Sequence, residues 1–218
     1  MNTKEARMKT LLENDFVTYY GKHVGAHHVQ LSQINGTKRI CDSVACNQCL
    51  KFFRYNCQHE VFVIKCASVV NIINYEKFIN DCGVKGDKCD LILYDTDKIV
   101  LVELTCSMEG MLTIHFRNGI PQQGKRMKAR HQLSDSIHTL CKVTPIKDAI
   151  AKLQKRETIF AYRVKDEDLF QNVPIVIEKS ERVWLELARQ RESQQLILPM
   201  PNDFSFQMVK YPDEYVWK

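Results

Sequence analysis

The chain has 218 residues, of which 44% are apolar, which suits one globular domain (1–218) with a packed core. Its formal net charge of +5 permits a polyanionic partner such as nucleic acid without requiring one. The polar start MNTKEARMKT lacks a secretory signal and no apolar run is long enough to span a membrane, so we expect a cytoplasmic protein without a membrane partner, whose nine cysteines stay reduced.

Helical and extended segments alternate along the chain. Apolar residues at helical spacing predict helices at 3–20, 69–84, 124–142, 145–154 and 180–193. Runs of β-branched and aromatic residues predict strands or extended segments at 27–34 (ended by Asn35-Gly36), 61–66, both arms of 89–106, 111–116, 158–164, 174–179, 195–201 and 204–211. This order predicts an α/β (α+β) fold, with a central mixed β-sheet flanked by helices.

The predicted hairpin at 89–106, CDLILYDTDKIVLVELTC, carries a carboxylate on each arm. Asp90 opens the first strand, and Glu103 shares one face of the second strand with Thr105. Two carboxylates at close range repel each other unless a cation lies between them, and Mg²⁺ or Mn²⁺ prefers such oxygen ligands. In the alternative interpretation, Asp90 caps a strand beside Lys88 and Glu103 forms a structural ion pair with a lysine or arginine.

The helix predicted at 124–142 carries two stripes of side chains. The first stripe, mostly apolar, consists of Arg130, Leu133, Ile137 and Leu140. The second, polar stripe consists of Lys125, Lys128, Gln132 and Ser136, and we expect it to bring Lys128 and Gln132 to the carboxylates, where they position phosphate and water. The basic residues predicted to contact nucleic-acid phosphates are Lys125, Arg126, Lys128 and Arg130. The alternative is a solvated basic face.

Residues 85–165 resemble the PD-(D/E)XK nuclease superfamily in GDKCDLIL with Asp90, VLVELT with Glu103, the helix KARHQLSDSIHTL and the strand TIFAYRV. The resemblance implies a restriction-endonuclease-like core that runs helix, three strands, helix, strand. It also implies a magnesium-dependent (or manganese-dependent) endonuclease that hydrolyses phosphodiester bonds in DNA, with the metal on Asp90, Glu103 and the Leu104 carbonyl. Such nucleases belong to restriction or antiphage systems, so other protein subunits of an antiviral defence complex are expected partners.

Thr105 departs from the pattern of the family, which has a catalytic lysine at this position. Lys128 or Lys125 is expected to replace that lysine from the helix. Otherwise the chain is a catalytically inactive subunit of the same fold that binds nucleic acid or scaffolds a multi-protein complex. An N-terminal acid, Glu5 or Glu13, is a candidate third carboxylate, although no spacing selects either of them.

A cysteine-rich insertion near the N-terminus, at 41–59, forms the second candidate metal site. Cys46 and Cys49 have the spacing with which two thiolates hold one tetrahedral Zn²⁺. The candidate ligands of this zinc knuckle are Cys41, Cys46, Cys49, Cys57 and His59. An iron–sulfur cluster and ordinary buried cysteines are the alternatives. A zinc-stabilised adaptor unrelated to nucleases is therefore a third hypothesis for the whole chain.

Overall fold

A computed structural model describes residues 7–42, 60–117, 120–165 and 179–218. The first helical segment combines α1 (Arg7–Leu11), a π-helical turn (Leu12–Phe16) and α2 (Val17–Tyr19). The later helices are α3 (Tyr75–Asp81), α4 (Lys125–Cys141), α5 (Thr144–Ala151) and α6 (Lys179–Leu196). Within these ranges, no helix has both the length and the apolar character that crossing a bilayer requires.

The strands of the described residues form one large sheet and one small hairpin. They are β1 (Leu31–Cys41), β2 (Glu60–Asn74), β3 (Leu91–Tyr94), β4 (Lys98–Ser107), β5 (His115–Arg117), β6 (Ile120–Gln122), β7 (Lys155–Val164), β8 (Ser205–Lys210) and β9 (Glu214–Trp217). The large sheet has the order β1-β2-β3-β4-β7-β8, with β9 beside the first half of β2. Strands β1 to β4 pair antiparallel, whereas β7 is parallel to β4 and β8 is parallel to β7. The fold is therefore mixed α/β with a central mixed sheet flanked by helices, as the sequence predicts.

Alternate residues of β4 face two separate hydrophobic clusters. Leu101 packs with Leu133 and Ile137 of α4 and with Phe16 of the first helical segment. Val102 belongs to the opposite face, together with residues of the first half of β2 and of β9. Because α4 lies on the Leu101 face, it covers the same side of β4 that carries Glu103.

The hairpin, α4, α5 and β7 agree closely with the sequence predictions, because local signals specify them. In the β3–β4 turn, Asp95 Oδ1 accepts the backbone N–H groups of Asp97 at 2.9 Å and Lys98 at 2.8 Å. An aspartate side chain that accepts backbone N–H groups two and three residues later forms an Asx-turn. The carboxylate therefore fixes the register of the two arms on which the candidate site depends.

The prediction that Asn35-Gly36 ends the first strand is wrong. Strand β1 continues to Cys41, and its register against β2 shifts between Ile34 and Gly36. Gly36 adopts a φ of 73°, which a residue without a Cβ accommodates easily. The Asn-Gly pair therefore forms a bulge within the strand, a structure that the same residues favour as readily as a turn.

The helix predicted at 69–84 is wrong in its first half, because Val69–Asn74 belong to β2. The β-branched run SVVNII continues the strand, and Ile72 and Ile73 are buried on opposite faces. The helix begins only at Tyr75, where Asn74 Oδ1 accepts the N–H of Lys77 at 3.0 Å. Tertiary burial on both faces thus outweighs the apparent helical period.

The remaining differences lie near the C-terminus and around the small hairpin. Residues 195–201 were predicted to be extended, but α6 continues to Leu196. The segment predicted as a strand at 111–116 instead enters a 3-10 turn (Glu109–Met111) before β5. Strand β9 was not predicted, and the strand predicted at 174–179 lies outside the described residues except for its last position, which begins α6.

Candidate metal centre

The hairpin places Asp90 immediately before the last residue pair of its ladder, next to Glu103. Leu91 pairs with Val102, and the N–H of Asp90 donates to the Val102 carbonyl at 3.1 Å. The charge of Asp90 acts on Glu103 directly, so the two side chains lie close together. The two carboxyl groups therefore belong to one site at the end of the hairpin, where α4 covers the Glu103 face of β4.

The half-buried Asp90 is oriented by the backbone of the opposite strand. Its Oδ2 accepts the N–H of Leu104 at 2.7 Å. Strand β3 begins only at Leu91, so β4 has no strand partner at this edge beyond Val102, and the carboxylate takes that place. The N–H and C=O of one strand residue point to the same edge, so the Leu104 carbonyl also faces the Asp90 side.

Glu103 is the residue whose position packing alone does not explain. It is only 8% exposed, and its Oε2 is buried without a hydrogen-bond partner in the part of the chain that the structure describes. Within the same residues, no salt bridge to a lysine or arginine involves Asp90 or Glu103, so the alternative of a structural ion pair finds no support there. A buried carboxylate without a partner is costly, which makes Glu103 a candidate ligand of a cation.

The pKa values of the two carboxyl groups are set by burial and by the charges of neighbouring acids. Burial raises the pKa of Asp90 well above the usual carboxyl range, and Glu76 and Asp42 raise it further, while the Leu104 N–H opposes them. Burial also raises the pKa of Glu103, followed by the charges of Asp90, Glu76 and Asp42, whereas the ammonium of Lys128 lowers it. A cation placed among these acids would reverse the rise, because it favours their ionised forms.

Asp42 and Glu76 are two acids near the site that the sequence analysis did not single out. Asp42 Oδ2 accepts the N–H of Cys106 at 3.1 Å, two residues beyond Leu104 along the same edge of β4. Glu76 lies in the first turn of α3, and its backbone N–H donates to the Asp90 carbonyl at 3.2 Å. Asn74 is a cap residue that marks the start of α3, and this signal in the sequence places Glu76 in the first turn of the helix. No spacing in the sequence connects Asp42 with Asp90.

The two N-terminal acids named from the sequence do not join this group. Glu13 lies in the π-helical turn, where it binds Lys9 and accepts the N–H of Val29 at 2.8 Å. Glu5 lies outside the described residues.

The polar stripe of α4 holds the chain just before Asp90. Gln132 Nε2 donates to the Lys88 carbonyl at 3.2 Å, and the N–H of Cys89 donates to Ser136 Oγ at 2.8 Å. Gln132 therefore contacts the backbone two residues before Asp90, and its contact with phosphate or water stays a prediction. Lys128, one turn before Gln132, is exposed and lies within electrostatic range of Glu103.

The four basic residues predicted to contact nucleic acid have different environments. Lys128 is exposed, and Lys125 and Arg126 are half-buried near the start of α4. Arg130 is buried, and its guanidinium donates to the carbonyls of Leu198 at 2.6 Å and Pro199 at 3.2 Å. Because these bonds tie Arg130 to the segment after α6, we leave it out of the proposed phosphate-binding surface.

Of the predicted zinc ligands, only Cys41 is described, and it is buried at the end of β1. Cys46, Cys49, Cys57 and His59 lie outside the described residues, so the zinc knuckle stays a prediction. Within the described ranges, no three His, Cys, Asp or Glu side chains form a group that could hold a metal ion by themselves. A magnesium ion held at Asp90 and Glu103 would therefore keep several water or phosphate ligands, as this ion usually does.

Comparisons of the chain with protein families, with curated proteins and with solved structures gave no match.

Proposed function

We propose that the chain is a metal-dependent, nuclease-like hydrolase of the PD-(D/E)XK type that cleaves phosphodiester bonds in DNA. The observation that carries the proposal is the proximity of Asp90 to the buried Glu103, whose Oε2 has no hydrogen-bond partner in the described residues. The strand order adds support, because β2, β3 and β4 pair antiparallel and α4 then leads to β7, parallel to β4. Residues 85–165 supply β3, β4, α4 and β7 of this order, and β2 precedes them in the chain.

The residues present fit a hard divalent cation such as Mg²⁺ or Mn²⁺. Asp90 and Glu103 offer carboxylate oxygens from opposite arms of the hairpin, and the Leu104 carbonyl faces the same edge as the Asp90 carboxylate. When bound, such an ion would polarise the scissile phosphate and promote ionisation of a water molecule. The bond from Leu104 N–H to Asp90, together with the α4 contacts to residues 88 and 89, would fix the ligands beforehand.

Lys128 is the candidate substitute for the missing lysine at position 105. Thr105 carries no charge, whereas the Lys128 ammonium already acts on Glu103 from the facing helix. Together with Lys125 and Arg126, it would form a basic start of α4 that contacts substrate phosphates. Participation in a restriction or antiphage system, with other subunits, rests on the resemblance alone and forms part of the proposal.

The second candidate is an inactive subunit of the same fold that binds nucleic acid or scaffolds a complex. Thr105 favours it, because a hydroxyl cannot supply the positive charge that the family places there. The absence of a salt bridge between Lys128 and Glu103 in the described structure also favours it. The hydrolase is expected to cleave DNA, whereas the inactive subunit is not. Both are expected to bind nucleic acid, whereas a zinc-stabilised adaptor is not.

The test is incubation of the protein with supercoiled plasmid, linear DNA and RNA, in Mg²⁺, Mn²⁺ or EDTA. We expect metal-dependent cleavage of DNA that Asp90→Asn and Glu103→Gln abolish. The matched control is Glu109→Gln, which removes the same charge from an exposed position beyond β4 and should keep full activity. Retardation of DNA without cleavage would favour the inactive subunit. If the protein neither cleaves nor retards DNA, the result would favour the zinc-stabilised adaptor.

A second experiment tests whether Lys128 replaces the lysine that the family has at position 105. We expect Lys128→Ala to lower cleavage by about 10²-fold or more, the usual effect of losing a positioned charge in a site. Adding Thr105→Lys to that variant should recover part of the loss, because the ammonium returns to the position it occupies in the family. Full activity of Lys128→Ala would show that this lysine does not replace the missing one.

A further inference from the structure

A groove separate from the carboxylates lies between α6, the β5–β6 hairpin and the start of α4. Its cavity of about 620 Å³ is lined by Trp184 and Leu187 of α6, Pro121 of β6 and Met127 of α4. Binding sites for small organic groups commonly enclose about 300–1,000 Å³ and are mostly apolar with a few polar groups. The groove therefore has the size and the apolar walls of a site for a flat organic ring.

One buried carboxylate lines this groove with an oxygen that lacks a partner. Glu192 is only 6% exposed, and its Oε2 accepts the N–H of Ile114 at 2.9 Å. Its Oε1 is buried and has no hydrogen-bond partner in the described residues. Because a carboxylate oxygen accepts hydrogen bonds, an N–H or O–H donor of a ligand would satisfy it.

An exposed aromatic ring lines the same groove as that carboxylate, two helical turns earlier on α6. Trp184 is 43% exposed, and its ring lies 5.3 Å from the ring of Phe116 of β5, centroid to centroid. Exposed aromatic rings are the surfaces on which unpaired nucleobases stack, with about 1–3 kcal/mol per base. The amide side chains of Gln123 and Gln195 also line the groove and offer further polar contacts.

We propose that this groove binds a nucleobase of the nucleic-acid substrate and prefers guanine, which stacks on Trp184 and donates its N–H groups to Glu192. The proposal rests on the nucleic-acid substrate of the proposed function. Guanine presents two adjacent donors, N1–H and the N2 amino group, on its pairing edge. Adenine and cytosine place a ring acceptor beside the amino group, and that acceptor faces a carboxylate unfavourably.

The groove also lies where a base contact would serve the candidate metal centre. Gly124 and Met127 line it, and they flank Lys125 and Arg126 at the start of α4. Gly124 is fixed by close packing, because a Cβ there would lie 2.4 Å from the carbonyl carbon of Thr113. A base held in the groove would therefore lie next to the part of α4 that carries these basic residues.

The experiment titrates GMP, AMP, CMP and UMP into the full chain in EDTA, and it follows tryptophan fluorescence and heat of binding. Fluorescence should report on Trp184, because the other tryptophan, Trp217, is only 4% exposed. We expect GMP to bind at least about tenfold more tightly than AMP, which is typical of a two-donor base contact. Glu192→Gln should remove the preference, since the neutral amide can still accept from Ile114.

The matched control is Glu186→Gln, which removes the same charge from an exposed position of α6 and should keep the preference for GMP. Equal affinities for the four nucleotides, no binding, or a preference that survives Glu192→Gln would each overturn the proposal. Because binding is measured without metal, its outcome is separate from that of the cleavage assay. Binding of GMP without cleavage would leave this site standing and remove the hydrolase, and cleavage without GMP binding would do the reverse.

Discussion

Replacing Glu103 with glutamine should make the protein more resistant to unfolding as the pH rises. Burial and the neighbouring acids raise the pKa of Glu103 in the folded protein. In the unfolded chain the same group titrates near its ordinary value of about 4.3. Between these two pKa values, the folded state binds more protons than the unfolded state, so the stability of the natural protein falls with increasing pH.

The magnitude follows from that linkage. One group that stays protonated only in the folded state lowers the free energy of unfolding by up to about 1.4 kcal/mol per pH unit. Between pH 5.5 and pH 7.5, the natural protein should therefore lose about 1–3 kcal/mol relative to Glu103→Gln. In a chain of this size, such a difference corresponds to about 2–12 °C in the melting temperature.

The assay is urea unfolding and thermal melting of both proteins in EDTA at half-unit steps from pH 5.5 to 8.5. Glutamine has nearly the same shape as glutamate. Any cost of burying its amide therefore shifts the free energy of unfolding by the same amount at every pH and leaves its slope against pH unchanged. Glu109→Gln, at an exposed position, should follow the pH dependence of the natural protein. The difference between the two curves therefore isolates the buried acid.

Parallel curves for the natural protein and Glu103→Gln would refute this reasoning. They would mean that Glu103 is ionised in the folded protein across this range, as it would be beside a permanent cation or in contact with water. A steeper curve for the variant would contradict the sign of the pKa shift.

Three further predictions concern the groups around the site and the core. Saturating Mg²⁺, at about 100 times its Kd, should raise the free energy of unfolding of the natural protein by about 2.7 kcal/mol, and Glu103→Gln should abolish this gain in a thermal-shift titration. Ser136→Ala removes the acceptor of the Cys89 N–H and should lower the free energy of unfolding in urea by about 1–3 kcal/mol. Calorimetry of the same variant should show Mg²⁺ binding weakened by about 10–100-fold. The Lys98 ammonium lies 2.8 Å from the carboxylate of the mostly buried Glu157. Lys98→Ala leaves that carboxylate without its cation and should therefore lower the free energy of unfolding by about 3–5 kcal/mol in the same assay.

Local signals in the sequence predicted the elements that carry the site. The Asp95 turn fixes the hairpin, and the apolar stripe of α4 determines which of its faces packs on the sheet. Once strand alternation is combined with that turn, the neighbouring positions of Asp90 and Glu103 follow from simple geometry. The central hairpin and its covering helix are therefore readable from about fifty consecutive residues.

The features that the sequence did not reveal depend on contacts between distant segments. Asp42 joins the edge of β4 only because β1 extends past its bulge, and no local pattern predicts that extension. Arg130 shares a helical stripe with apolar residues, yet its partners are carbonyls at 198 and 199, far along the chain. Glu192 lies in a polar helical segment without a local signal, and only the fold places it beside Ile114.

The acids of the hairpin argue for a ligand on energetic grounds. A purely structural role for Glu103 would call for a hydrogen-bond donor or a cation at its Oε2, and the described residues supply neither. An apolar side chain of similar volume would pack against α4 without the cost of desolvating a carboxyl group. A chain that nevertheless places Asp90 next to Glu103, with Lys128 close enough to act on it, maintains an arrangement that is unfavourable for folding. A divalent cation would remove this deficit, because one ion could satisfy both carboxylates, and for this reason we propose a metal-binding site at this position in the sheet.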